Sequence, residues 1–305
     1  NKMKPVIRNI LRSAVYQLKY MDSVPDSAVC NEAVKLAVKK GFGTLRGFVN
    51  GVLRNVARGL DQVEYPTEGI ERLSVVYSMP EWILKLWKKT YDLDVIESML
   101  QAFQEETPVT IRCNLAKTTP ENLKESLQKE GVTVTPHPYL SYAFWIQDYD
   151  HLSELESFQK GEFYVQDISS MLVGELADPK KGDRVIDVCA APGGKALHVA
   201  RKLRGTGSVE ARDLSLYKVG LITENIERSG LTNIHAVQKD ATVCDADVKD
   251  AADLVIADLL CSGLGVLAKK TDLKYKATEQ STKELAGLQR EILKNAASYV
   301  RPGER

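Results

Sequence analysis

Four carboxylates and one glycine-rich turn stand in this chain where their types and spacing could hold a small ligand. Asp187, Asp213, Asp240 and Asp258 each sit at or just beyond the end of a short apolar run. After the first comes Cys189-Ala190-Ala191-Pro192-Gly193-Gly194-Lys195, which opens an amphipathic segment. Glycines let backbone N–H groups approach a ligand closely, and a helix N-terminus presents unpaired donors with partial positive charge. The phosphate-loop pattern G-x-x-x-x-G-K-[ST] fails because Ala196 follows Lys195, and G-x-G-x-x-G is absent. A cofactor without phosphates, an adenosyl group with an amino-acid tail, fits better. Asp213 closes the second strand, where a carboxylate can accept both ribose hydroxyls. Asp240 follows the third strand, where it could accept from an adenine amino group. Asp258 follows the fourth and precedes Cys261 by three residues. Any one of them is equally a turn or cap residue. All four beside a Gly-Gly turn favour a ligand.

Other candidates are weaker. Cys189 reads as a small filler facing the ligand. Cys261, in Asp258-Leu-Leu-Cys-Ser-Gly263, is either a buried spacer or a chemical group on a functional loop. His137, His151, His198 and His235 are isolated, so no metal or triad constellation is visible. Lys269, Lys270, Lys274 and Lys276 with Tyr275 form either a solvated loop or a phosphate-contacting surface.

These residues need a scaffold, and the pattern supplies one. From Asp183 onward strands and helices alternate: strands at 184–188, 208–211, 234–238 and 253–257, helices at 193–203, 216–228 and 279–300. Such alternation predicts a parallel, doubly wound α/β sheet, whose strand ends carry the ligand. Residues 1–60 read instead as three amphipathic helices, with Ile7, Ile10, Leu11 and Ala14 at helical spacing in the first. Pro66 and Gly69 mark a linker, and 71–106 read as helical, anchored by Trp82, Leu86 and Trp87. A small α+β module follows, with strands at 109–113, 132–135 and 143–146 around a helix at 120–130. The expected domains are therefore 1–65, 66–160 and 161–305.

The formal net charge is zero, yet residues 1–60 carry eleven Lys/Arg against three Asp/Glu. A basic module suggests a polyanionic partner. The five cysteines are scattered without a C-x-x-C pair. That indicates a reducing, cytoplasmic setting and neither a disulfide framework nor a zinc site. No run reaches the length of a membrane span, so no membrane partner is expected. Nothing in the pattern calls for a second copy, and a monomer is expected.

The stretch Asp187-Val-Cys-Ala-Ala-Pro-Gly-Gly-Lys195 together with Asp258-x-x-Cys-Ser-Gly263 resembles the S-adenosylmethionine-dependent RNA cytosine-C5 methyltransferases. Gln166-Asp-Ile-Ser-Ser170, Asp213 and Asp240 fall in that family's order. The first third is similar to the NusB-like helical domain of one branch, through Asn31-Glu32-Ala33-Val34 and Gly47-Phe-Val-Asn-Gly-Val-Leu-Arg-Asn55. Residues 71–160 match the family's intermediate RNA-binding region. The resemblance implies a Rossmann-like methyltransferase domain behind an all-α NusB-like domain and a small α+β RNA-binding module. It implies S-adenosylmethionine as cofactor, held by residues 189–195, Asp213, Asp240 and Asp258. The implied substrate is a cytosine of small-subunit (16S) ribosomal RNA, taken out of its stack in a single-stranded or looped region. A cysteine thiolate adds to C6, C5 accepts the methyl, and loss of the C5 proton with elimination of the thiol restores the ring. Asp258 would contact the cytosine edge.

Two departures matter. Leu260 stands where the family has a proline, which would fix the loop carrying Cys261. The family's nucleophile is a second cysteine in a Thr-Cys pair after a fifth strand, expected beyond Arg305, and Cys261 matches the cysteine of product release. The chain thus reads as a fragment lacking the attacking group. An RNA-binding assembly protein with a degenerate methyltransferase domain is the alternative. In either case Leu254–Ala257 is expected to form a bare apolar sheet edge, prone to aggregation.

Overall fold

The computed structural model describes residues 3–305, which divide into two compact units, the first ending at Met79 and the second spanning Pro80–Arg305. The first is all helical: α1 (Pro5–Tyr20), α2 (Asp26–Lys39), α3 (Arg46–Gly59) and α4 (Gly69–Val76). Pro5 at the first turn of α1 costs no hydrogen bond there. Ile7, Ile10, Leu11 and Ala14 of α1 meet Val29, Cys30, Ala33 and Ala37 of α2 and Val49 and Leu53 of α3 in one buried cluster. Leu36 and Phe48, which the spacing also allows inward, are over 40% exposed. The segment after residue 65, α4 included, falls in this unit.

The second unit opens with α5 (Glu81–Trp87) and α6 (Leu93–Ala102). In α5 Ile83 and Leu84 are the fully buried residues, whereas Trp82, Leu86 and Trp87 are half-buried. Next comes an antiparallel sheet of β1 (Val109–Cys113), β2 (Thr133–Pro136), β3 (Ala143–Gln147) and β4 (Phe163–Val165), in the order β2-β3-β1-β4. Helix α7 (Pro120–Lys129) covers it through Leu123 and Leu127, and α8 (Glu156–Gln159) precedes β4. Strand β4 is absent from the sequence reading and lies beyond residue 160, where that reading begins the next domain. It nevertheless pairs with β1, Arg112 opposite Tyr164. Three residues are too few for a period to show.

After α9 (Ile168–Ala177) the chain alternates: β5 (Arg184–Asp187), α10 (Gly194–Lys202), β6 (Ser208–Asp213), α11 (Leu216–Ser229), β7 (Ile234–Gln238), β8 (Leu254–Ile256), a short α12 (Leu273–Lys276) and α13 (Glu279–Tyr299). The sheet is parallel in the order β7-β6-β5-β8, as a doubly wound fold requires. Successive side chains of β5 point to opposite faces, so Val185 joins Leu197, Val199, Val209 and Ile222 while Ile186 joins Ile292, Ala296 and Tyr299.

The expected bare edge at β8 is not found. Val300 forms a parallel bridge with Ala252, Arg301 N–H donates to Ala252 O at 2.9 Å, and Val255 N–H donates to Arg305 O at 3.0 Å. Arg301 also pairs with Asp253. The segment Val300–Arg305 runs along the edge and takes up its backbone groups.

Candidate active site

Parallel strands β5, β6 and β8 end side by side, and the loops that leave them carry the site. Asp187, the last residue of β5, is 1% exposed. Its Oδ1 accepts from Cys189 N–H at 3.4 Å. Burial pushes its carboxyl up to about 7, against the pull of that N–H and of Lys195. The turn Ala190–Gly193 is closed by Gly193 N–H to Ala190 O at 2.7 Å and tied to β6 by Ala190 N–H to Arg212 O at 2.7 Å. Gly193 holds φ +103°, a conformation that L side chains rarely adopt, and no side chain caps the helix α10 that it opens. The first N–H groups of α10 are therefore left to a ligand.

Asp213 closes β6, 5% exposed. It accepts from Ala191 N–H at 3.4 Å and Ser215 N–H at 3.5 Å, with Lys218 Nζ at 3.5 Å. Asp258, beyond β8, is held by Lys195 Nζ at 2.6 Å, and the same ammonium reaches Ser170 Oγ at 3.2 Å. Lys195, Asp258 and Asp213 lie close enough to act electrostatically on Asp187, and Asp187, Asp213 and Asp258 on Cys189. Cys189 is half-buried, and burial together with these carboxylates pushes its thiol up to about 11, which disfavours the thiolate.

Asp240 stands apart. It is exposed beyond β7, and its Oδ1 accepts from Thr242 Oγ1 at 2.7 Å and Thr242 N–H at 2.9 Å, bonds that hold its carboxyl below the usual carboxylate range. Cys261 is exposed on the 257–263 loop, whose Leu260 O accepts from Gln289 Nε2 at 2.8 Å. That bond from α13 restrains the loop where the family proline is missing. In the basic stretch, Lys269 pairs with Asp167 and Lys276 with Asp272.

One group has no assigned role in the sequence reading, although its motif is quoted there. Gln166 is 6% exposed, and neither its Oε1 nor its Nε2 has a partner. The amide packs beside Gly194: a Cβ added at Gly194 would lie 3.6 Å from Nε2. Gln166 N–H donates to Thr110 O at 3.1 Å, so the antiparallel sheet delivers the amide to the glycine turn. An orphaned donor–acceptor pair beside unpaired helix N–H groups suits the zwitterionic end of an amino acid. With Asp213 one strand over for a ribose, these residues fit an adenosyl cofactor with an amino-acid tail.

Three family descriptions match the chain: "NusB family" over residues 1–58, "Methyltr_RsmF/B-like, ferredoxin-like domain" over 79–149, and "16S rRNA methyltransferase RsmB/F" over 175–304. A probable ribosomal RNA small subunit methyltransferase B of Bacillus subtilis is 35% identical over 304 residues, covering 99% of this chain and 68% of that protein. Among solved structures, PH0851 superposes with a TM-score of 0.84 at 25% identity, over 99% of this chain and 68% of its own. NSun6 from Pyrococcus horikoshii with SFG superposes at 0.66 and 24% identity, over 72% of this chain and 80% of its own, a likeness of fold.

Proposed function

The chain belongs to the 16S rRNA methyltransferase RsmB/F family, and from that premise we propose that it serves methylation of a cytosine at C5 in small-subunit ribosomal RNA. S-adenosylmethionine is the methyl donor, supplying an electrophilic methyl group at its sulfonium. The orphaned amide of Gln166 beside Gly194 carries this reading, because it leaves a buried polar group that a ligand's charged end would satisfy.

Each residue has a task in this proposal. The turn Cys189-Ala190-Ala191-Pro192-Gly193-Gly194 offers backbone N–H groups, with Gln166 beside them. Asp213 accepts ribose hydroxyls, and the Asp240 oxygen not used by Thr242 accepts from the adenine amino group. Lys195, at the start of α10, holds Asp258 beside the glycine turn, where its carboxylate meets the cytosine edge. Cys261, exposed on the same loop, takes part in release of product rather than in attack, as the resemblance implies. The acting unit in this proposal is a monomer.

Nucleoside analysis of small-subunit rRNA from cells with and without the protein tests the base and the atom. A 5-methylcytidine is expected to disappear. An unchanged 5-methylcytidine content, or loss of a methyl from another base, contradicts the proposal.

A further inference from the structure

A cavity of about 1020 Å³ opens in the Pro80–Arg305 unit where the antiparallel sheet meets α10. It runs from the end of β1, at Cys113–Leu115, to the residues that follow α10. Lys180 and Lys181 on its wall precede β5, whereas Asp187 and Asp213 end their strands. In a parallel sheet those are opposite edges, so the occupant is not the methyl donor.

The lining is cationic. Arg112, Lys180, Lys181, Arg201, Lys202 and Arg204 face only Glu175 and Asp178. Lys202 is neutralised by Glu175 and Lys180 by Asp178. Arg112 is buried, donates to Gly194 O at 3.3 Å and lies over the Tyr164 ring. Arg201 donates to the carbonyl of Leu115, at 2.8 Å, and has no ion-pair partner among the described residues. Lys181 and Arg204 are exposed and have no ion-pair partner among the described residues. Lys181 and Arg204 sit on adjoining segments, Gly182 N–H donating to Thr206 Oγ1 at 3.2 Å, and with Arg201 they line one open cavity. A cavity of this volume lined by several cations suits a chain of phosphates better than a single small anion.

We propose that this cavity seats the sugar–phosphate backbone of the RNA strand that carries the target nucleotide, with Arg201, Arg204 and Lys181 as its phosphate contacts. The inference rests on the proposed RNA substrate and adds where the strand lies. It also gives the junction of the two sheets a purpose: the ferredoxin-like module forms one wall and α10 the other.

The test measures binding of a labelled, mixed-sequence single-stranded oligoribonucleotide across a salt series, for the whole chain and for two variants. Lys181→Glu/Arg204→Glu is expected to lose about tenfold or more in affinity. Its log–log salt slope should fall by about 1.4, roughly 0.7 for each phosphate contact removed. Lys294→Glu, a cation exposed on α13, should change neither. Calorimetry with S-adenosylmethionine should give the same affinity for the double variant as for the parent, showing that the fold and cofactor site are intact. If the parent binds RNA but the double variant binds it equally, or Lys294→Glu weakens it as much, the cavity is not the seat. If the parent binds the methyl donor but no RNA, the RNA substrate itself is wrong and this inference falls with it. Inorganic pyrophosphate bound by the parent and lost in the double variant, without RNA binding, would make the cavity a small-anion site instead.

Discussion

Asp187 sits at the centre of the site, and its burial has a measurable consequence. Below its ordinary 3.8 the carboxyl is protonated in both folded and unfolded chains. Between 3.8 and about 7 the unfolded chain releases a proton that the fold retains. This group's contribution to stability therefore falls as pH rises through that window, and is lost above it. Asp187→Asn keeps an oxygen for the Cys189 N–H and removes the cost of a buried charge. Thermal unfolding should show the variant gaining on the parent at about pH 8, with the gain vanishing near about pH 4. A gain of equal size at both pH values would mean that the carboxyl titrates normally. At this scale the sequence is informative where the chemistry is local: the turn 189–194 and the strand-end carboxylates lie within a few residues of the elements that orient them. Gln166 is different, because its place beside Gly194 is fixed by pairing across the antiparallel sheet, which no local pattern reveals.

Helices α9 and α10 pack closely because Gly174 leaves room for the His198 ring. A Cβ at Gly174 would lie 2.5 Å from His198 Nδ1, and the imidazole is 5% exposed. Burial, reinforced by Arg112 and Lys202, holds His198 neutral, its pKa down to about 2, so its 3.4 Å approach to Glu175 is not a salt bridge. Tyr142 and Lys202 instead share Glu175, at 2.5 and 2.7 Å, which pins the antiparallel sheet to both helices. Gly174→Ala should destabilise the chain by about 1–3 kcal/mol in denaturant unfolding. In Gly174→Ala/His198→Ala the two costs should sum to less than their separate values, because the clash is gone. Strict additivity would show that the glycine does not matter for this contact. Helix α10 was legible from its apolar spacing, whereas α9 is absent from the sequence reading. Their close approach was not legible either, since a glycine in a helix and a lone histidine each look unremarkable in sequence.

For the whole molecule, the instructive case is the sheet edge. The apolar character of Leu254–Ile256 is plain in the sequence, and a bare edge was the natural inference. What the pattern does not reveal is that Val300–Arg305, irregular and rich in Pro, Gly and charge, lies along β8 and uses its backbone groups. Removing Arg301–Arg305 should expose that edge and raise self-association, read as light scattering on heating, together with a lower melting temperature. Unchanged scattering and melting would show that the segment protects nothing. Three family descriptions in series along the chain fit the change from helical spacing to alternation that the sequence displays.

The central claim is that the glycine turn and the carboxylates beside it grip S-adenosylmethionine. Isothermal titration of that donor into the chain and into Asp213→Ala tests it most directly. Saturable binding by the parent is expected, weakened about tenfold or more in the variant, because Asp213 would no longer accept from two hydroxyls. Equal affinities, or no binding by a folded parent, would contradict it.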